Sequence, residues 1–321
     1  MQLNIKIIYP SEKKLAVWHY VSSIQYLGPI RFRKLWNFLG NDIEEIFKMT
    51  DRELLELKGV VTPQVFKGIK EQRNQRAKSE KFAKEQLMRA ENCGGRIVLL
   101  GDQDYPSFLH RSKMCHPILY CIGKLGNFSR YDKSIAILGT RKANEDSLSI
   151  ANLVAKKLAR QRWTIVSGMA KGIDASAHEG ALDRGGRTIA VLGSGVDMPY
   201  PSEHRSLYNR IIENNLVCSE FPFSTRTNPI RLKKRNKTIV AFSLGAFVVQ
   251  TSIKGGSMNA VKACKEQRKP VFSIQPDSSI RKEPGDYSGN REILATGGYP
   301  VDVSNADEEI MKICSRKSWL D

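Results

Sequence analysis

Val166-Ser167-Gly168-Met169-Ala170-Lys171-Gly172-Ile173-Asp174-Ala175-Ser176-Ala177-His178-Glu179-Gly180-Ala181-Leu182 is the stretch whose reading decides the fold. It opens at the end of a β-branched run over 163–167, turns through glycines, and continues as a helix of small residues over 174–183. A short apolar strand, a glycine turn and a helix make half of a β-α-β unit. The same texture recurs on both sides. Strands are expected near 96–100, 134–139, 188–193, 216–220, 246–250 and 270–274, and helices near 147–161, 203–213, 236–242 and 257–267.

Apolar strands alternating with amphipathic helices predict an α/β fold, a doubly wound, Rossmann-like, mostly parallel sheet with helices on both faces. The first 90 residues read differently. Helical periodicity there is punctuated by Leu27-Gly28-Pro29-Ile30 and Gly40-Asn41-Asp42, where proline suits a first helical turn and glycine an ending. This predicts a small all-helical domain of the SAM or helix-hairpin-helix kind. Its last part, 62–90, carries Lys67, Lys70, Arg73, Arg76, Lys78, Lys81, Lys84 and Arg89, and is expected to run as one long solvated helix leading away from that domain. The expected divisions are 1–90, a Rossmann-like binding domain over 91–304, and a short tail over 305–321.

The 321 residues hold 51 Lys+Arg against 33 Asp+Glu, a formal net charge of +18. Such an excess points to a polyanionic partner. With 41% hydrophobic and 26% charged residues, the chain is of globular composition, which excludes a disordered basic tail as the whole. The six cysteines show neither C-x-x-C pairs nor zinc spacing, so reduced, buried thiols are expected and no metal. The start lacks a signal-peptide core and no apolar run approaches the roughly 18 residues of a membrane span. A cytoplasmic protein with no membrane association follows.

In a doubly wound sheet ligands collect where strands end. Gly139-Thr140-Arg141-Lys142 follows one strand, and Ser167-Gly168-Met169-Ala170-Lys171-Gly172 the next. Gly193-Ser194-Gly195 and Lys254-Gly255-Gly256-Ser257 follow two others. Glycine at strand-to-helix joints is often needed for packing alone. Several such turns on one sheet, with Arg141, Lys171 and Lys254 beside them, describe a surface for a row of phosphates. G-x-G-x-x-G and the P-loop are absent from the sequence, which disfavours simple dinucleotide or ATP binding and leaves no cofactor implied. From 221 to 265 there is no Asp or Glu, while Arg226, Arg231, Lys233, Lys234, Arg235, Lys237, Lys254, Lys262 and Lys265 stand there unopposed. The cluster Arg231-Leu232-Lys233-Lys234-Arg235-Asn236-Lys237 is placed at a helix start and read as a phosphate-backbone contact.

These motifs together resemble the DprA/Smf family of DNA-processing proteins. The resemblance rests on 166–182, on Gly186-Arg187-Thr188-Ile189-Ala190-Val191-Leu192-Gly193-Ser194-Gly195 and on Tyr200-Pro201. Asp104-Tyr105-Pro106, Ser219-Glu220-Phe221-Pro222, Arg235-Asn236-Lys237 and Ser288-Gly289-Asn290 support it. It implies a non-enzymatic protein that binds single-stranded DNA, forms a homodimer through the Rossmann-like domain, and loads the RecA recombinase during DNA uptake in natural transformation. The DNA contacts it implies fall on Gly139, Thr140, Arg141, Ser167, Gly168, Lys171 and 235–237; the charge reading adds Lys142, Gly172, Arg231, Lys233, Lys234, Lys254, Gly256 and Ser257. The family's usual Gly-Ser-Arg is here Gly139-Thr140-Arg141, the Phe-Pro before Arg-Asn-Arg is Leu232-Lys233, its final arginine is Lys237, and Ser-Gly-Ser-Leu reads Gly255-Gly256-Ser257-Met258. No winged-helix domain, which many members carry, is expected after the tail.

Asp174 and His178 stand four apart on a helix and share a face, which suits a base with its orienting carboxylate or two metal ligands; the resemblance implies instead a structural signature. The related nucleoside-monophosphate phosphoribohydrolases use Gly-Gly-x-Gly-Thr-x-x-Glu; here 255–262 offers no carboxylate before Glu266. A further alternative is a Rossmann-like sensor of a nucleotide signal in stress or phage defence. Phe221, Phe223 and Phe242 read as core residues rather than base platforms.

Overall fold

The computed structural model describes residues 9–72, 76–112, 114–124, 133–183, 185–275 and 285–315. Helices α1 (Glu12–Ser22), α2 (Pro29–Phe38), α3 (Asp51–Glu56), α4 (Pro63–Gln72) and α5 (Arg76–Cys93) come first, with a 3-10 turn at Ile43–Phe47. Their starts are chemically marked. Ser11 caps α1, and Thr50 and Glu53 form a reciprocal capping box on α3, each satisfying amides that the first helical turn leaves orphaned, while Pro29 opens α2 with no such amide to satisfy.

Strand β1 (Gly95–Leu99) then leads through α6 (Ser107–Arg111) into β2 (Ile118–Gly123). The winding proper runs β3 (Ser134–Leu138), α7 (Glu145–Arg160), β4 (Thr164–Ser167), α8 (Ile173–Leu182), β5 (Arg187–Val191), α9 (Arg205–Asn214), β6 (Leu216–Ser219), α10 (Pro229–Ala241), β7 (Ala246–Val248), α11 (Met258–Glu266), β8 (Val271–Ile274), α12 (Ser288–Ala295), β9 (Tyr299–Val301) and α13 (Ala306–Cys314). The strands form one sheet in the order β1-β2-β6-β5-β4-β3-β7-β8-β9. β2 is antiparallel to both its neighbours, and the other pairs are parallel.

Side-chain alternation along the central strands builds the two faces. Ile135, Ile137, Phe247, Val249, Phe272 and Ile274 pack with Val154 and Leu158 of α7, Ala177 of α8 and Ile310 of α13. Ala136, Leu138, Ala246, Val248 and Val271 pack on the opposite face with Ile239 of α10 and Val261 of α11. The mostly parallel, doubly wound sheet with helices on both faces is therefore as expected, preceded by a helical region.

Three expectations need correction. Two strands were not anticipated: β2, wholly apolar and six residues long, and β9, of three residues. The basic stretch after 62 is not one solvated helix leading away. It forms α4 and α5, and α5 lies back against α1 with Ser79, Ala83, Gln86 and Ala90 buried; Arg73 lies outside the described residues. Helix α10 starts at Pro229, not near 236, because Asn228 accepts from the Arg231 amide at 2.8 Å and proline occupies the first position.

The helical region and the sheet share one continuous core. Phe223 N donates to Gln86 Oε1 at 2.8 Å, Arg89 Nη1 to Ser224 Oγ at 2.6 Å, and the Trp36 ring lies against Gly101. No described helix is long and apolar enough to cross a membrane.

Candidate nucleic-acid interface

The winding reverses at β3: the chain steps outward through β4, β5 and β6, then crosses back to lay β7 on the other side of β3. At such a switch point the loops after the two central strands part and leave a crevice. A cleft of about 680 Å³ lies there. One wall is Leu138–Arg141, after β3; another is Ile253–Asn259, after β7; α10 supplies Pro229, Leu232, Lys233, Arg235 and Asn236.

The wall after β7 is held from behind. Asn290, fully buried, donates from Nδ2 to the Val248 and Val249 carbonyls at 3.1 and 3.0 Å and to Ser273 Oγ at 2.9 Å. Its Oδ1 accepts from Thr251 N at 2.8 Å. Ser288 Oγ accepts from Ile253 N at 3.0 Å while donating to Asp286 at 2.7 Å. Gly289 must be glycine, since a Cβ would lie 2.7 Å from the Ser252 carbonyl. The Ser288-Gly289-Asn290 motif thus shapes the cleft without touching its contents. From the front, Asn236 Nδ2 donates to the Gly256 carbonyl at 3.2 Å.

The turn after β4 is built the same way. Asp174 Oδ2 accepts from Ala170 N at 3.4 Å, and Arg235 Nη1 donates to the Gly168 carbonyl and to Val191 O at 2.7 Å. Arg235 is 4% exposed. Burial pushes the Asp174 carboxyl above its usual range, opposed by Arg235 and the turn's amides. Burial also lowers Arg235, with Asp174 opposing it. The two charges oppose each other's burial from a distance, while their hydrogen bonds go to the backbone of the turn, Arg235 to carbonyls and Asp174 to an amide.

Of the residues expected to contact DNA, the cleft gathers Gly139, Thr140, Arg141, Lys233, Arg235, Asn236, Lys254, Gly256 and Ser257. The others stand outside its lining. Ser167 is buried, donating to Ile137 O at 2.6 Å. Gly168 packs on Arg235, and Gly172, at φ +80°, would place a Cβ 2.5 Å from the Thr140 carbonyl. Lys142 is exposed beside the cleft. Arg231 donates to Arg226 O at 2.8 Å and lies with Lys234 over the Phe221 ring. Phe221, Phe223 and Phe242 are buried.

The acid-free stretch is not unopposed in space. Glu220 and Glu266, the residues bounding it, pair with Lys234 at 2.5 Å and Lys237 at 2.9 Å, and Glu203 pairs with Lys171 at 2.6 Å. Burial would push Glu220 up, but His116, Lys234 and Thr238 more than offset it and keep it a carboxylate. Hydrogen bonding from Lys171 holds Glu203 down at about 2. Among the described residues, Arg141, Lys142, Lys233 and Lys254 have no such partner. A cluster on a helix sends its cations in several directions, so only some of 231–237 reach the cleft.

Asp174 and His178 take separate partners. His178 is fully buried, with Nδ1 2.7 Å from Thr188 Oγ1, whose own proton goes to Ile165 O at 2.8 Å. Burial and Arg235 push His178 down to about 3. Glu266 sits at the far end of α11 from Ser257. Among the described residues no three His, Cys, Asp or Glu side chains cluster as metal ligands would.

The cleft's apolar members, Pro229, Leu232, Ile253 and Met258, were not anticipated as site residues. Pro229 carried a signal, following the helix-capping Asn228; Ile253 carried none beyond its place next to Lys254.

A doubly wound sheet with a cationic cleft at its switch point defines a Rossmann-like protein with an anion-facing crevice. More particularly, the chain belongs to the DNA recombination-mediator protein A family, whose pattern its residues 96–311 match. It is 28% identical over 319 residues to a Synechocystis protein called Smf, covering 95% of this chain and 78% of that one. It is 30% identical over 181 residues to the Bacillus subtilis DNA processing protein DprA, covering 56% of this chain and 61% of that one. The crystal structure of DprA from Streptococcus pneumoniae superposes with a TM-score of 0.74 over 95% of this chain and 98% of that one, at 21% identity, a likeness of fold. DprA from Helicobacter pylori, whose structure is described as showing a single-stranded DNA binding mode, gives 0.58 at 25% identity over 68% of this chain and 96% of that one.

Proposed function

We propose that this chain binds single-stranded DNA in the cleft between the β3 and β7 loops and α10, and works as a DNA-processing, recombination-mediating protein. The observation that carries the reading is the set of exposed cations without described carboxylate partners, Arg141, Lys233 and Lys254, around the start of α11. There the positive end of the α11 dipole and the lysine and arginine charges favour the same phosphates. Arg235, being buried, acts by fixing the β4 turn. With this reading go RecA loading during natural transformation, a homodimer, a cytoplasmic location, a role in binding rather than catalysis, and the division at residues 90 and 304.

Labelled single- and double-stranded oligonucleotides titrated at two salt concentrations test it. Single-strand affinity should fall steeply with salt, by a logarithmic slope of about 0.7 per neutralised phosphate. The pair of substitutions Arg141→Glu and Lys254→Glu should weaken binding by ~10-fold or more with the melting temperature unchanged. Unaltered affinity in that variant would sink the placement. One observation favours a second reading: about 680 Å³ is also the size of a small-ligand site. Saturable thermal stabilisation by a mononucleotide, without oligonucleotide binding, would select a nucleotide sensor instead.

A further inference from the structure

Resting on the single-strand reading, the geometry points to Ile253, aided by Ile230, as the element that takes a nucleobase and so distinguishes single-stranded from duplex DNA. Ile253 lines the cleft next to Lys254 yet remains 53% exposed, and Ile230, beside the lining residue Pro229, is 77% exposed, the highest of the large apolar side chains described. Lone exposed apolar side chains are ordinary. Ile253 stands on the wall of a cationic cleft, on a loop whose backbone is pinned, and Ile230 follows the lining residue Pro229 at its border.

That pinning separates Ile253 from a mobile surface residue. Its own N–H is held by Ser288, the Thr251 amide by Asn290, and Gly255 N donates back to Ser252 O at 2.9 Å. The loop presents a stiff, β-branched apolar group at fixed height, at no further cost in ordering when a ligand arrives.

The occupant is fixed by what lies alongside. Lys254 and Arg141 call for phosphates, and an apolar group one residue from a phosphate-binding lysine is at the spacing where a nucleotide carries its base. Leu232 and Met258 continue the apolar surface inward. In a duplex the bases are stacked and paired, so only a single strand can present one to this wall. Cations alone attract both forms. The isoleucines supply the difference, and aliphatic contact is tolerant of base identity.

The test compares a mixed-sequence oligonucleotide, the same oligonucleotide carrying abasic residues, and its duplex, bound to the wild-type chain and to an Ile230→Ser, Ile253→Ser double variant at one salt concentration. The abasic strand keeps every phosphate. Wild type should bind it about 10-fold more weakly than the intact strand, the value of one buried apolar contact. The double variant should lose that distinction and most of its preference over duplex, with the salt slope and circular dichroism unchanged. Equal affinity of wild type for intact and abasic strands overturns the inference alone. So does a double variant that weakens both strands equally, or one that changes the sedimenting species, which would make the isoleucines an interface between copies. Failure of wild type to bind the intact strand overturns the single-strand reading and this inference together.

Discussion

Arg235 and Gly168 are locked together at the carboxyl edge of the sheet: the guanidinium donates to the Gly168 carbonyl, and a Cβ on Gly168 would overlap it. The glycine serves close packing between α10 and the β4 turn. Gly168→Ala should therefore destabilise the fold by about 1–3 kcal/mol through overpacking, read as a lower denaturation midpoint at constant m-value. Arg235→Ala should also cost about 1–3 kcal/mol, by leaving the buried Gly168 and Val191 carbonyls without their donor. An Arg235 variant that loses DNA binding at full stability would contradict this role.

Asn290 governs the cleft from a distance. Asn290→Ala strands the Thr251 amide and two strand carbonyls, so about 1–3 kcal/mol of stability should go. Oligonucleotide affinity should drop with it even where the variant is fully folded, because the loop bearing Lys254 loses its anchor. Asn290→Asp, which sets a buried carboxylate oxygen against the Val248 and Val249 carbonyls, should be at least as destabilising in urea unfolding.

The paired and unpaired lysines should behave differently. Lys254→Ala should lower the logarithmic salt slope by about 0.7. Lys237→Ala, whose partner Glu266 already neutralises it in the free chain, should leave the slope nearly unchanged. Equal slopes for the two variants would mean that these ion pairs exchange freely for phosphate.

Glu203 competes for Lys171. Removing its charge by Glu203→Gln frees the lysine, and single-strand affinity should rise a few-fold at low salt and converge with wild type at high salt, since exposed pairs are weak and screened. A fluorescence titration at two ionic strengths decides it; a loss of affinity would show Glu203 to be structurally required.

Acid should unfold the protein through its buried histidines. His178, near 6.5 when unfolded and about 3 when folded, takes up its proton in the unfolded chain first. Its contribution is intact above about pH 6.5 and is lost as pH falls toward 3. His19, pushed down to about 4 by burial and Lys78, adds in the same direction. His178→Gln, which can still donate to Thr188, should flatten the dependence of stability on pH across this window.

The winding was legible because its strands are short, apolar and joined by glycine turns, as over 163–183. β2 escaped because six consecutive apolar residues carry no period, and β9 because three residues containing Pro300 fall below any pattern. The cleft was half legible. Glycines and cations marked its place, but whether a cation is spent inside the fold depends on how α10 crosses the turns after β4 and β5. That crossing buries Arg235 and leaves Lys233 outside, though the two are two residues apart. The pairing of Lys237 with Glu266, 29 residues on, is likewise a product of packing.

The contacts of Gln86 and Arg89 with Phe223 and Ser224 have a mechanical meaning. Three residues carry the chain from Ser224 to the Asn228 cap and α10, so α5 is tied to the segment that leads into the wall of the cleft. A partner gripping the first helices would hold any captured strand at a set height and angle, as a tool is held by its handle.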